Sequence, residues 1–203
     1  MPIIQTNKEL RPREENDFYP TPIELVRAAL KPLKGRHFPA VLDPGCGDGV
    51  WGRVVRETFP DIGYLGGIDI VNRLPKNHPY DYFLHEDFLT YQIGPIGMNY
   101  WLICGNPPYK FAEQFIRRSW VYLPHNGVLV FLLRLAFLEG QKRCKGLWKE
   151  FPPTYVTVLG RRPSFTGNHK TDSTAYCLMY WYKDRQGETT KLSWLDWDYD
   201  ENS

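Results

Sequence analysis

The sequence predicts an α/β fold built on a mainly parallel, doubly wound sheet with helices on both faces. Apolar runs of strand length alternate with segments of helical period through most of the chain. A glycine-dense turn, DPGCGDG at 43–49, joins the first strand to its helix, and four strand ends each carry a distinctive polar residue: Asp43, Asp69, Asp87 and Asn106. In such sheets ligands sit beyond the C-terminal ends of the strands, so residues placed there are the first candidates for function.

Residues 1–16 are polar without a sustained period and read as a flexible N-terminal arm. DFYPTP at 17–22 then opens a helix from about Pro22 to Leu33, with Leu25, Val26, Ala29 and Leu30 as its apolar stripe. Thr21, three before Glu24 and just ahead of Pro22, reads as the start of a capping box. The first strand is Ala40 to Asp43, and the helix after the glycine turn carries Val50, Trp51, Val54, Val55 and Phe59 on one face. Strands follow at about Tyr64 to Ile70, Asp81 to His85 and Trp101 to Cys104, and then a helix from about Phe111 to Leu123. Gly127 to Leu133 is the most apolar run and predicts a central buried strand. A basic, helix-permissive stretch holds Lys142, Arg143, Lys145 and Lys149. A strand from Tyr155 to Leu159, a polar loop from Arg161 to Thr174 and a last strand from Ala175 to Tyr182 complete the core. One catalytic domain over 17–185 and an acidic tail over 186–203 are the expected organisation.

Composition narrows the classes. The 203 residues are 42% hydrophobic and 24% charged, which suits a globular chain, and the 15% aromatic content is high enough to suggest rings that stack on bases as well as rings in the core. The tail from Trp194 holds Asp196, Asp198, Asp200 and Glu201 and no base, so the formal charge of +2 balances a more basic body against an acidic end. The four cysteines, Cys46, Cys104, Cys144 and Cys177, form no CxxC pair, which argues against a disulfide framework and a zinc site; no metal is expected. With no apolar run near about 20 residues and no signal-peptide pattern at the N-terminus, a cytosolic protein is expected.

Two motifs carry chemistry. The glycines of DPGCGDG allow positive φ and let a ligand approach the backbone amides, so a cofactor crosses this turn. Gly47, Gly49 and Gly52 also satisfy GxGxxG, and Asp69 follows Gly47 by 22 residues, so this turn taken alone fits a nicotinamide dinucleotide equally well. The second motif is Asn106-Pro107-Pro108-Tyr109, directly after the fourth strand. Asn106 and Pro107 each precede a proline and are held extended, and neither proline has an N–H to divert a partner. The amide oxygen of Asn106 and the carbonyl of Pro107 can take the two hydrogens of a planar NH₂ while Tyr109 stacks on its ring.

Together these motifs resemble the S-adenosylmethionine-dependent N6-adenine DNA methyltransferases with motif order of the γ type, across nearly the whole chain. The resemblance implies a Rossmann-like class I methyltransferase fold with a seven-stranded sheet, S-adenosylmethionine as methyl donor and S-adenosylhomocysteine as product. DFYPTP resembles the N-terminal cofactor motif, with Tyr19, Pro20 and Thr21 by the methionine part. Asp43, Pro44, Gly45, Cys46 and Gly47 match the glycine motif, Asp69 with Ile70 falls where an acid holds the ribose, and Asp87-Phe88 matches the pair on the adenine. NPPY resembles the catalytic motif, with Asn106 also beside the cofactor. Pro163-Ser164-Phe165 with Gly167 is similar to a motif whose ring packs on the extruded base.

The implied substrate is adenine in DNA, flipped out of the stack. Arg134 at the end of the buried strand, Lys142 and Arg143, and Arg161, Arg162 and Lys170 are the candidate substrate contacts. The chain departs from family members that carry a separate recognition domain, since its length leaves no room for one. That leaves open single-stranded DNA, a dimer or a borrowed partner, and it hints at a phage or mobile-element setting. The same NPPY chemistry would serve an RNA-adenine or protein-glutamine N-methyltransferase, and the same fold a non-catalytic subunit.

Overall fold

The computed structural model describes residues 19–92, 99–165 and 173–197. Its strands are β1 (Ala40–Pro44), β2 (Tyr64–Asp69), β3 (Tyr82–His85), β4 (Leu102–Gly105), β5 (Val128–Arg134), β6 (Tyr155–Leu159), β7 (Tyr176–Tyr182) and β8 (Lys191–Leu195). They form one sheet in the order β3-β2-β1-β4-β5-β7-β6-β8. Only β7 runs against the others, pairing antiparallel with β5 and β6. The turn of the winding lies between β1 and β4, where the order reverses. A ligand crevice is expected above that point.

Helices α1 (Ile23–Leu30) and α2 (Val50–Thr58) cover one face, and α3 (Ala112–Tyr122) with the short α5 (Leu147–Glu150) covers the other. A second short helix, α4 (Gln141–Lys145), precedes α5. The periodicity behind this is direct. Leu25, Val26, Ala29 and Leu30 of α1, and Val50, Trp51, Val54 and Val55 of α2, are all buried against β1 and its neighbours. The central strands β4 and β5 are apolar at successive positions because both of their faces are covered, and Val128 to Leu133 are wholly buried.

Two expectations change. The first helix begins at Ile23 and ends with a 3₁₀ turn, Lys31–Leu33, but Thr21 does not cap it: Pro22 is the N-cap and no side chain bonds the first turn. Thr21 is buried and its hydroxyl is used elsewhere, as described below. Among the described residues the sheet has eight strands rather than seven, because Lys191–Leu195 pairs in parallel with β6 inside the segment read from its acids as a tail. β8 is only five residues long and four of them are exposed, so the alternation of Leu192 and Trp194 with polar neighbours is too short to stand out as a strand beside the acids that follow. The arm at 1–16 lies outside the described residues.

Candidate active site

A cleft of about 810 Å³ opens over the C-terminal ends of β1, β2, β4 and β5. Its walls come from the segment before α1, the glycine turn, the ends of β2 and β3, the NPPY segment and the turn after β5.

The glycine turn owes its shape to backbone chemistry. Gly45, Gly47 and Gly49 have φ of 73°, 54° and 83°, a region that side chains with a Cβ avoid. The amides of Gly45 and Cys46 donate to the carbonyl of Ile68 at 2.7 and 3.2 Å, and that of Gly47 donates to Asp69 Oδ2 at 2.9 Å. Asp69 Oδ1 accepts from the amide of Val71 at 2.9 Å, with Arg73 at 3.7 Å. The turn is thus laced to the end of β2, where Ile70 stands half exposed on the cleft wall. At the next strand end Asp87 Oδ1 accepts from Leu89 N at 2.8 Å, starting a turn, while Phe88 is buried against Phe115. Asp87 and Phe88 both line the cleft. Burial pushes the Cys46 thiol far above its ordinary range, so this cysteine is a neutral wall and no nucleophile.

Asn106, Pro108 and Tyr109 line the same cleft, with Pro107 buried behind them. The Asn106 amide group donates through Nδ2 to the carbonyl of Tyr19 at 3.0 Å and to Thr21 Oγ1 at 3.2 Å. A carbonyl can only accept, so this pairing fixes which end of the amide is nitrogen. Asn106 Oδ1 is left as a buried acceptor with no hydrogen-bond partner among the described residues. Trp51 Nε1 also donates to Thr21 Oγ1, at 3.3 Å. The hydroxyl read as a helix cap is therefore the node joining α2, the entry segment and NPPY. The Tyr109 ring is stacked with Tyr19, tilted against Tyr176, and has the Arg134 guanidinium 4.9 Å from its centroid. An orphan acceptor beside a restrained ring and cation is a grip for a hydrogen-bond donor on a planar group.

Other expected site residues are placed differently. Asp43 does not line the cleft: it is fully buried beneath the turn, accepting from the Tyr80 hydroxyl at 2.6 Å through Oδ2. Pro44 likewise lies behind the wall. Tyr80 reaches Asp43 because Gly52 and Gly67 lack side chains; a Cβ on Gly52 would stand 2.5 Å from the ring. Burial raises the Asp43 carboxyl to about 8, against the lowering effect of the Tyr80 hydrogen bond, with Asp69 and Asp48 adding to the rise. A folded value raised from 3.8 means that the native state holds the proton more tightly. The stability from this group is full below about pH 4 and is lost as pH rises through about 8. Asp43→Asn is expected to flatten the fall in Tm between pH 5 and 8.5 measured by calorimetry, and an unchanged slope would reassign the titration.

Phe165 is buried and edge-on to Tyr19 and Tyr176, so it supports the ring cluster behind Tyr109. Among the cations, Arg134 and Arg143 line the cleft, while Lys142, Arg161 and Arg162 are exposed outside its wall. Lys170 and Gly167 lie outside the described residues. The sequence reading missed Trp51, Arg73, Lys110, Phe111 and Phe137, all of which line the cleft. Phe111 and Phe137 sit just past the ends of β4 and β5, a position that could have flagged them. Among the described residues no group of three or more His, Cys, Asp and Glu could hold a metal ion, and no helix is long and apolar enough to cross a membrane.

The strand order bears on the glycine ambiguity. Dinucleotide-binding sheets of this kind continue 3-2-1-4-5-6 in parallel, whereas here an antiparallel β7 stands between β5 and β6. No protein-family model and no curated protein matches the sequence. Solved structures do. A protein from Listeria monocytogenes described as a class I S-adenosylmethionine-dependent methyltransferase aligns over 87% of this chain and 65% of its own, at 15% identity and a TM-score of 0.65. A protein from Vibrio vulnificus described as the modification subunit of a type I restriction enzyme aligns over 92% of this chain and 48% of its own, at 15% identity and 0.68. The methyltransferase subunit of a type I restriction-modification system from Streptococcus thermophilus aligns over 83% and 45%, at 16% identity and 0.64. This chain therefore spans less than two thirds of each of these proteins and has the class I methyltransferase fold.

Proposed function

We propose that this chain transfers a methyl group from S-adenosylmethionine to N6 of adenine in DNA. The observation that carries the reading is the Asn106 amide, whose nitrogen is committed to Tyr19 and Thr21 and whose oxygen is an acceptor with no partner among the described residues. A buried acceptor without a partner costs about 1–3 kcal/mol, a cost that a substrate N–H would remove.

The residues fit the methyl donor. Gly45 to Gly47 allow close approach to the backbone, Asp69 offers lone pairs toward hydroxyls, Ile70 and Phe88 give apolar surface, and Tyr19 with Thr21 closes the far side. When bound, that donor supplies an electrophilic methyl on a sulfonium. The work of this chain is to prepare the amine. An exocyclic amine is a poor nucleophile because its lone pair is delocalised into the ring. Asn106 Oδ1, taking one of its hydrogens, favours the tetrahedral nitrogen and releases the lone pair. Tyr109, steadied by Tyr19, Tyr176 and Arg134, is the surface on which the base is held.

DNA is favoured as the carrier because two of the neighbours are described as methyltransferase or modification subunits of restriction systems, and because DFYPTP precedes the glycine turn. Extruding an adenine from a duplex costs a few kcal/mol, so transfer is expected to be faster on single strands. Radiolabelled methyl donor offered separately to unmethylated single-stranded DNA, duplex DNA, RNA and a glutamine-bearing protein tests this. The expected label is N6-methyladenine in DNA. Label only in RNA or protein would overturn the substrate, and cofactor binding without any transfer would make the chain a non-catalytic subunit.

A further inference from the structure

β8 is the last strand of the sheet, and among the described residues it has a neighbour on one side only. Among those residues the edge is open, and it is of an uncommon kind. Natural edges are blunted by charge, proline or a bulge, because a row of free N–H and C=O groups templates pairing. Here Leu192 and Trp194 are 57% and 70% exposed, two residues apart and so on one face of the sheet.

The bonding parity of the strand says more. Lys191 N donates to Thr154 O, and Leu195 O accepts from Gly160 N, so Lys191, Ser193 and Leu195 turn their backbone groups toward β6. Successive residues alternate in direction. The N–H and C=O groups of Leu192 and Trp194 therefore point to the open edge. In an antiparallel pair the residues that exchange hydrogen bonds stand directly opposite each other. A second β8 laid against the first about a two-fold axis at Ser193 puts Leu192 opposite Trp194 twice, makes four backbone hydrogen bonds and overlaps the whole strand. It also sets Lys191 at one end beside the segment of the other copy that carries Asp196, twice by symmetry.

We propose that β8 is a homodimerisation strand, pairing antiparallel with β8 of a second copy to make one continuous sixteen-stranded sheet. The occupant is a second copy because the strand is complementary to itself in bonding parity, in apolar pairs and in charge. β8 runs parallel to β1, β4 and β5, so a two-fold at this edge turns the second sheet over. The two clefts then open at opposite ends of the joined sheet. A five-residue strand pair is a small interface, and association is expected in the range of about 1–100 µM.

Light scattering across that concentration range is expected to show the mass doubling. Ser193 lies on the axis as a non-hydrogen-bonded pair, whose Cα atoms stand about 4.5 Å apart, within disulfide reach. The Ser193→Cys variant on a Cys144→Ser background is therefore expected to crosslink on mild oxidation, the other cysteines being buried. The L192K/W194K variant is expected to stay monomeric, and mixing it with L192E/W194E to restore the dimer, which separates pairing from misfolding. A monomeric wild type at every concentration, an absent crosslink or an unaffected L192K/W194K dimer would each overturn the proposal, including the case where another segment of the same chain covers the edge.

Discussion

Asn106→Ala is expected to lower kcat for methyl transfer by about 10²–10³-fold while S-adenosylhomocysteine affinity changes by less than about tenfold. The asymmetry follows from where the oxygen acts. Asn106 Oδ1 has no partner among the described residues to lose, so its removal is expected to be felt when the substrate amine becomes tetrahedral and not when the cofactor docks. The Nδ2 bonds to Tyr19 and Thr21 are also lost, and they belong to the wall of the cleft proposed to hold the cofactor. That is why a modest loss of affinity accompanies the larger loss of rate. Asn106→Asp is a sharper probe, because it keeps an acceptor but places carboxylate oxygen against the Tyr19 carbonyl, where both groups only accept. It is expected to be as slow as the alanine variant. Single-turnover kinetics with labelled donor, alongside calorimetric titration of S-adenosylhomocysteine, measure the two effects separately. Wild-type turnover in either variant would remove the amide from the mechanism.

Asp69→Ala is expected to act in the opposite order, weakening S-adenosylhomocysteine by about 10–100-fold with a smaller change in kcat at saturation. Asp69 supports the amide of Gly47 at the centre of the turn and that of Val71 beyond β2, so truncation leaves two backbone donors without their acceptor. It also removes the carboxylate proposed to meet the ribose. Asp69→Asn separates these roles, since it keeps an oxygen for one amide but presents NH₂ where the other donates. Asp69→Asn is expected to fall between wild type and alanine. Titration calorimetry with circular dichroism of the free proteins tests this, and unchanged affinity in folded Asp69→Ala would assign the end of β2 a structural role only.

Much of the fold was legible because local rules and tertiary packing agree. The apolar stripes of α1 and α2 and the continuous run of β5 meet a covered sheet in the structure as they do in the sequence. The glycine turn and NPPY were legible for a different reason, because positive φ and X-Pro restrictions are properties of the residues themselves. Thr21 was not. Its capping-box spacing is real, but a buried hydroxyl takes whichever donors packing brings to it, and packing brought Trp51 and Asn106.

What the sequence by itself determined is the order of elements, the shape of the glycine turn and the rigid extended backbone of NPPY, since each follows from torsional limits and short-range period. Only the tertiary structure decided which end of the Asn106 amide faces the carbonyl of Tyr19, that Asp43 supports Tyr80 instead of lining the cleft, and that Lys191–Leu195 is a strand at all. Each of those depends on a partner 36 to 87 residues away along the chain, and no local pattern encodes a hydrogen bond whose other half arrives only when the sheet closes.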